Sequence, residues 1–250
     1  MNFGLEGKKA VVTGGNAGIG RAIGRMLAAE GAHLCLVGRN EETLSSAKAD
    51  IIADGGREPV LIVQDLMSDD AAETIGQGVE RALGGTDILI NNAGGSRPFG
   101  KDATEEQWDE AITLNFTRQR QIAHHLLPSM QKNGWGRIIN ITGKSEPDNV
   151  NGAFCAKAAM HSWSKGLSRE VGGNGITVNC VPPGRIMSDQ VRRNYAPDYR
   201  EDHAQKEIPM GRYGEPEDLA ALVVFLCSVQ AQYITGTVIP VDGGLRRYQF

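Results

Sequence analysis

The chain has 250 residues, of which 40% are hydrophobic and 22% are charged, and its formal net charge is −4 at pH 7. This length suffices for one well-buried core, and a single domain over residues 1–250 is expected because no linker or low-complexity tract divides the chain. The small acidic excess, without a basic cluster, argues against a nucleic-acid partner.

Neither a membrane segment nor a metal site is expected from the residue pattern. No uncharged apolar stretch approaches the roughly 18 residues that a membrane span requires, so we expect a cytoplasmic protein without a membrane partner. The four cysteines are far apart and predict no disulfide framework and no metal site.

Short apolar, β-branched runs alternate along the chain with segments that have helical apolar spacing. The strand-like runs are 9–13, 33–37, 59–64, 87–91, 136–142, 175–181 and 237–241. The helix-like segments are 18–30, 41–53, 70–83, 105–132, 153–171 and 216–228. This alternation predicts an α/β, Rossmann-like, doubly wound fold, with a mostly seven-stranded parallel sheet and helices on both faces.

One long segment, residues 182–213, has no readable periodicity and mixes Pro, Arg, Tyr and Asp. A segment of this kind in a compact domain is more often a binding loop than a linker. We therefore expect a substrate lid at about 184–213.

A glycine-rich turn lies between the first predicted strand and the first predicted helix. Glycine there lets the backbone turn tightly and approach a pyrophosphate, which the N–H groups of the helix N-terminus would bind. The predicted cofactor contacts in this turn are Gly14, Asn16, Gly18, Ile19 and Gly20.

The second predicted strand ends at Gly38-Arg39-Asn40, where an acidic residue would be expected to bind the ribose hydroxyls of NAD. Arg39 instead suits the 2′-phosphate of NADP. NADP is therefore the expected cofactor, with Arg39 and Asn40 as contacts, and NAD stays possible.

Several further motifs occur in a fixed order along the chain. They are TGGNAGIG at 13–20, NNAG at 91–94, Asn115, Lys157, Pro183-Gly184, GEPEDLA at 214–220 and the DGG at 242–244. Together they resemble the short-chain dehydrogenase/reductases of the ketoacyl-carrier-protein-reductase-like type, over almost the whole chain.

This resemblance implies further contacts to the cofactor and a small-molecule or thioester substrate. The implied cofactor contacts are Asp65, Leu66, Asn91, Ala93, Gly94, Lys157, Pro183, Gly184, Ile186 and Ser188. All but Lys157 follow predicted strands, where ligands bind in open α/β sheets.

In the resembling family, a tyrosine four residues before the lysine passes a proton to the substrate. Here that position is Ala153, and Phe154 lies one residue out of register, about 100° around the helix, with no proton to give. The position of the family's serine is occupied by Gly143, with Thr142 and Ser145 as neighbouring substitutes. The resemblance thus implies a catalytic set of Asn115, Lys157, Thr142 and Ser145.

Three interpretations remain open. The first is an NAD(P)-dependent reductase of a ketone whose proton comes from Ser145, Thr142, a water on Lys157, or a lid tyrosine such as Tyr195 or Tyr199. The second is a dienoyl-thioester reductase-like enzyme. The third is a nucleotide-binding sensor or oligomer partner without turnover.

Other side chains allow both a functional and a structural interpretation. His161 lies one turn beyond Lys157 and is either a proton relay or a packing residue, while His124 and His125 suit an interface or the surface. The arginines of the lid either attract an anionic substrate or are solvated; they are Arg185, Arg192, Arg193 and Arg200.

Apolar stripes on two predicted helices favour packing against a second subunit. They contain Trp108, Ile112, Ile122 and Leu126 on one helix, and Met160, Trp163 and Leu167 on the other. Because the resembling family packs these helices between subunits, a homotetramer is the prediction, although the stripes would also suit the chain's own sheet.

Overall fold

Six parallel strands form one sheet in the order β3-β2-β1-β4-β5-β6. The structure is a computed structural model that describes residues 2–143 and 149–247. The strands are β1 (Lys9–Thr13), β2 (His33–Gly38), β3 (Val60–Val63), β4 (Ile88–Asn91), β5 (Gly136–Ile141) and β6 (Ile176–Val181). This order is that of the Rossmann fold, and it reverses between β1 and β4, the point at which such sheets bind ligands.

Helices cover the sheet on both faces. They are α1 (Gly18–Ala29), α2 (Glu41–Ala53), α3 (Ala71–Leu83), α4 (Glu105–Ile112), α5 (Arg118–Asn133), α6 (Gly152–Val171), α7 (Asp189–Asn194), α8 (Pro197–Glu207) and α9 (Pro216–Cys227). A π-helical turn, Thr113–Thr117, joins α4 to α5, and a short 3-10 turn, Gly172–Asn174, follows α6.

Successive strand residues enter two separate cores because side chains alternate between the faces of a sheet. Val12, Leu36 and Ile139 pack in the core under α1 and α9. Val11 and Ile138 pack in the core under α3 and α5. Burial on both faces explains why the strands read as continuous apolar runs.

The expectation of a seventh strand at 237–241 is wrong. This segment runs beside β6 in parallel, but it makes only two isolated bridges there, Cys180 to Val238 and Pro183 to Val241. Between the bridges Pro182 has no N–H to donate to the facing strand, so the ladder is interrupted. The sheet therefore has six strands.

The segment expected to be irregular contains two helices, α7 and α8. Helix α8 begins with Pro197 at its first turn and has Ala204 as its buried residue, so it carries no apolar stripe that the sequence pattern could reveal. The expected helix 105–132 is interrupted by the π-helical turn.

Within the described ranges, no helix combines the length and apolar character that crossing a membrane requires. No group of three His, Cys, Asp or Glu side chains in those ranges is placed to hold a metal ion.

Candidate active site

In the glycine-rich turn after β1, backbone conformation or close contacts favour glycine at several positions. Gly14 has φ +64° and Gly18 has φ +50°, values that favour glycine. A Cβ on Gly20 would collide with the carbonyl oxygen of Gly14. The turn therefore brings the N-terminus of α1 close to the sheet edge, as a pyrophosphate site requires.

Thr13 joins this turn to the end of β4. Its Oγ1 accepts hydrogen bonds from the backbone N–H groups of Asn92, at 3.0 Å, and Ala93, at 3.1 Å, and donates one to the Ile90 carbonyl. The first turn and the residues around Ala93 and Gly94 are thus held together at the switch point of the sheet.

The residues expected at the adenosine ribose lie together at the N-terminus of α2. Asn40 caps this helix, since its Oδ1 accepts from the Thr43 N–H at 2.8 Å, and Asn16 donates to the Thr43 hydroxyl at 3.0 Å. Arg39 is exposed beside them. No hydrogen bond or ion pair involves its guanidinium among the described residues, which leaves it available for an anion.

The expected adenine neighbours, Asp65 and Leu66, follow β3. Asp65 is exposed and accepts the Met67 N–H at 3.0 Å, and the Leu66 carbonyl accepts from Arg118 Nε at 2.8 Å. Arg118 is buried, so it fixes this turn from within the fold.

Asn91 points into the protein, where it belongs to a buried polar chain. Its Nδ2 donates to Asn140 Oδ1 at 2.8 Å, and Asn140 Nδ2 donates to Ser164 Oγ at 2.9 Å. Any contact from Asn91 to a cofactor would therefore come from its backbone, since its side chain is fully buried.

Asn115 and Lys157 converge on Gly94. A Cβ built on Gly94 would lie 2.8 Å from Asn115 Oδ1 and 3.2 Å from Lys157 Nζ. Asn115 lies in the π-helical turn and makes two hydrogen bonds to the backbone of Gly95, the residue after Gly94. Its Nδ2 donates to the Gly95 carbonyl at 2.9 Å, and its Oδ1 accepts from the Gly95 N–H at 3.1 Å. Such turns often occur at functional sites because they re-aim side chains.

Lys157 is buried, and its Nζ donates to the carbonyl oxygen of Ile141 at 2.9 Å. Burial disfavours the ammonium form and lowers the pKa of Lys157 to about 8, although nearby Cys180 opposes this shift. An amine with this pKa exchanges protons near neutral pH.

Thr142 and His161 form a second polar pair at the end of β5. His161 Nε2 lies 2.8 Å from Thr142 Oγ1. Partial burial, followed by the positive charges of Arg246 and Lys157, lowers the pKa of His161 below its usual value, which favours the neutral imidazole. Position 143 faces Lys157, since a Cβ on Gly143 would lie 3.6 Å from Lys157 Cγ, but it offers no hydroxyl.

The other expected catalytic residue, Ser145, lies outside the described residues, as does the rest of 144–148 in the loop before α6. Helix α6 begins after Asn151, which is its N-cap: Asn151 Oδ1 accepts a hydrogen bond from the Ala153 N–H at 2.9 Å.

A cavity of about 230 Å³ lies at Ala153, which is itself buried. Asn115 and Leu114 line one side of this cavity and Phe99 lines another. The position at which the resembling family has its tyrosine thus borders open space, lined by apolar side chains and by the polar side chains of Arg97, Gln107, Glu110, Asn115 and Asn151.

The residues after β6 bring the start of segment 184–213, the expected lid, over the glycine-rich turn. Gly184 donates its N–H to the Val241 carbonyl at 2.9 Å, and a Cβ there would overlap Asp242. Ile186 is buried, and Ser188 begins α7 by accepting the Val191 N–H at 3.2 Å. A Cβ on Gly18 would lie 4.0 Å from Ser188 Cβ, so this part of the lid faces the turn.

The lid tyrosines expected as substitute acids are stacked on each other. The rings of Tyr195 and Tyr199 have their centres 5.3 Å apart. The Tyr199 ring also contacts His203, and the His203 ring contacts Tyr213. This row of rings packs the lid internally. Arg185 contacts the row at the Tyr195 ring, 6.0 Å from its centre.

The remaining arginines and histidines lie away from the cavity at Ala153. Arg192 and Arg200 line a separate open groove of about 650 Å³ between the lid and α9, whereas His124 and His125 are exposed on α5.

Sequence reasoning missed three polar residues that hold the site together: Arg118, Gln119 and Asn140. Gln119 donates to the Ala93 carbonyl at 2.5 Å from one turn beyond Asn115. Asn140 could have been anticipated, because it lies one residue before the end of β5 and is paired with Asn91 at the end of β4. Nothing in the local sequence distinguishes Arg118 from a solvated arginine.

Comparisons with known proteins agree with this architecture. A family model described as enoyl-(acyl carrier protein) reductase matches residues 14–246. Nodulation protein G of Rhizobium sp. (strain N33) is 37% identical over 256 residues, covering 97% of this chain and 98% of that protein.

Two further relatives are reductases. The 3-oxoacyl-[acyl-carrier-protein] reductase FabG of Haemophilus influenzae is 37% identical over 247 residues, 96% of this chain and 99% of that protein. The L-sorbose reductase of Gluconobacter frateurii, complexed with NADPH and L-sorbose, superposes with a TM-score of 0.93 at 32% identity, over 99% of this chain and 100% of that one. The chain belongs to the short-chain dehydrogenase/reductase family and is an oxidoreductase of that type.

Proposed function

We propose that this protein is an NADPH-dependent carbonyl reductase whose active site lacks the tyrosine usual in its family. The observation that carries the proposal is the convergence of Asn115 and Lys157 on Gly94, beside the open space at Ala153. The site thus has the residues that contact the cofactor in this family. It has open space at the position of the family's proton-donating tyrosine.

The residues of this chain fit NADPH. The glycine-rich turn and the N-terminus of α1 suit its pyrophosphate, and Arg39, exposed and without a described partner, suits the 2′-phosphate. Lys157 would hold the nicotinamide ribose, with Pro183, Gly184, Ile186 and Ser188 around the nicotinamide end. When bound, NADPH supplies the hydride that reduces the substrate. The complex of L-sorbose reductase with NADPH supports this cofactor.

The proton must come from a group other than a tyrosine on α6. Lys157 suits this task through an intervening water, because an acid with a pKa near the working pH transfers protons efficiently. Thr142, bonded to His161, is a second source. Loss of a positioned acid costs roughly 10²- to 10⁴-fold, whereas the orientation of the reactants by the remaining site is retained.

The substrate class that the relatives support is a ketone, either a 3-ketoacyl thioester, as for the FabG proteins, or a sugar-like ketone. Reduction of a conjugated carbon–carbon double bond is a second candidate, favoured by the family model described as an enoyl reductase. The lid from about 184 to 213 would close over either substrate.

The test is cofactor consumption by the wild type and by Ala153→Tyr, with NADPH and NADH side by side. The substrate panel contains β-ketoacyl thioesters, dienoyl thioesters, quinones and simple ketones. The proposal predicts wild-type turnover with NADPH and a ketone, and faster turnover of simple ketones by Ala153→Tyr. Binding of NADPH without wild-type turnover of any of these compounds would instead favour a nucleotide-binding sensor.

A further inference from the structure

The cavity at Ala153 has the size and the walls of a site for one aromatic ring. Its volume of about 230 Å³ lies below the 300–1,000 Å³ of pockets for drug-sized ligands. The apolar part of its wall consists of Pro98, Phe99, Ala111, Leu114 and Ala153.

An aromatic side chain braces this wall in a fixed position. Phe99 lies against the start of α6, where a Cβ on Gly152 would be 2.9 Å from its ring. Its other contact is Trp108, edge to face at 4.8 Å between ring centres. Phe99 is thus packed between α4 and α6, and it presents an aromatic surface to a ligand ring, with which aromatic pairs are favourable.

The described lining of the cavity contains no Tyr, Ser, Thr, His or Lys that could replace the missing acid. Its charged members, Arg97 and Glu110, are paired with each other at 3.2 Å. Its remaining polar side chains are the amides of Gln107, Asn115 and Asn151, which do not act as acids. The cavity therefore provides room for a proton donor, and none of the described residues that line it supplies one.

We propose that this cavity binds the ring of a hydroxyaryl ketone, and that the substrate's own phenolic hydroxyl protonates its carbonyl oxygen in place of the absent tyrosine. This inference rests on the proposed function, which supplies NADPH as the reductant. The carbonyl carbon gains the hydride, the C=O π bond breaks, and the phenolic proton forms the new O–H bond. The phenolate then regains a proton from the ammonium of Lys157, which takes one from solvent.

The acidities of the groups suit this sequence. A phenol has the same ordinary pKa as a tyrosine, about 10. Burial lowers the pKa of Lys157 to about 8, so proton return from its ammonium to a phenolate is downhill. Lys157 lies one helical turn from Ala153 on the same face of α6, where the family's lysine and tyrosine stand together.

The test compares three ketones of nearly equal shape, 2′-hydroxyacetophenone, 2′-methoxyacetophenone and acetophenone. Reduction is followed with wild-type enzyme and NADPH, and each rate is divided by the rate of reduction by borohydride to remove intrinsic reactivity. The proposal predicts that the hydroxyl compound exceeds the methoxy compound by roughly 10²-fold in kcat/KM, the effect of one positioned acid. Because this comparison uses the wild type alone, it does not depend on a variant folding.

Two variants of Ala153 distinguish the role of the open cavity from the role of the substrate's hydroxyl group. Ala153→Tyr should reduce acetophenone well and lose the preference for the hydroxyl compound, whereas Ala153→Phe fills the same space without a proton donor. Calorimetric titration without cofactor gives a readout independent of turnover: 2′-hydroxyacetophenone should bind the wild type and not Ala153→Phe.

Equal reduction of the hydroxyl and methoxy compounds would overturn this inference and leave the proposed function standing. The same holds for a hydroxyl preference that disappears in Ser145→Ala, since the substrate hydroxyl would then act by binding Ser145 and not as the proton donor. Absence of NADPH-dependent reduction of every ketone would contradict both.

Discussion

Lys157 is buried in a site that disfavours its ammonium form. The free energy of unfolding therefore depends on whether Lys157 is protonated. Its pKa falls from 10.5 to about 8 on folding, which corresponds to roughly 3 kcal/mol. The unfolded chain binds more protons than the native one between these values, so stability rises with pH in that interval and the full penalty is present below pH 8.

We expect the free energy of unfolding of the wild type to gain up to roughly 3 kcal/mol, relative to Lys157→Met, between about pH 8 and pH 10.5. Urea unfolding at several pH values measures this difference. Lys165→Met is the matched control, because Lys165 lies on the same helix but is exposed. An identical pH dependence in wild type and Lys157→Met would show that Lys157 does not titrate as inferred.

Arg39 is the residue on which cofactor choice depends. Replacing it by glutamate should weaken NADPH binding by about 10- to 100-fold, the worth of a lost hydrogen bond to a charged group, and affect NADH binding much less. Fluorescence titration of the reduced nucleotides measures both affinities. The control is Arg57→Glu, which makes the same charge change at an exposed arginine on another loop. If the two variants lost equal affinity for NADPH, the effect would come from net charge and not from a contact of Arg39.

At the scale of elements, helix α6 carries both Ala153 and Lys157, and Asn151 sets where it begins. Asn151→Ala removes the side-chain acceptor for the Ala153 N–H and should destabilise the protein by about 1 kcal/mol. Asn151→Asp keeps an acceptor and should cost much less. Thermal unfolding followed by circular dichroism makes the comparison, and equal melting temperatures of the alanine variant and the wild type would exclude the cap as a stabilising contact.

The elements that could be predicted from the sequence are those whose burial pattern is regular. The doubly wound fold was predictable because β1, β2, β4, β5 and β6 are buried on both faces and helical apolar spacing separates the strands. Two features contradicted the pattern for physical reasons: Pro182 interrupts the ladder that 237–241 would have completed, and α8 is too polar to show a stripe.

The candidate site was predictable where a motif reflects a backbone conformation or close contact that requires glycine, as at Gly14 and Gly20. It was not predictable where one buried polar side chain holds another segment, as Arg118 and Gln119 do, because such contacts join residues far apart in sequence. The small side chain of Ala153 could be read from the sequence, but the aromatic wall of the cavity beside it depends on how Phe99 packs against Gly152.

At the scale of the whole molecule, the apolar stripes divide between the chain's own core and its surface. Ile122, Leu126 and Met160 are buried within the chain, whereas Trp108 and Trp163 remain half-buried. The half-buried side chains are those available to a second subunit, so a homotetramer stays the prediction. Light scattering at micromolar concentration should give four times the 26.9 kDa of the chain, and a monomer would contradict it.

We infer that this site reduces a carbonyl without a tyrosine on α6. The most direct test of this inference is transfer of deuterium from NADPH labelled at C4 of the nicotinamide, on both faces, to the product alcohol, followed by mass spectrometry with wild-type enzyme. We predict one deuterium on the carbinol carbon of the reduced ketone. Tight binding of the labelled NADPH with no deuterated alcohol formed from any ketone of the panel would contradict the account.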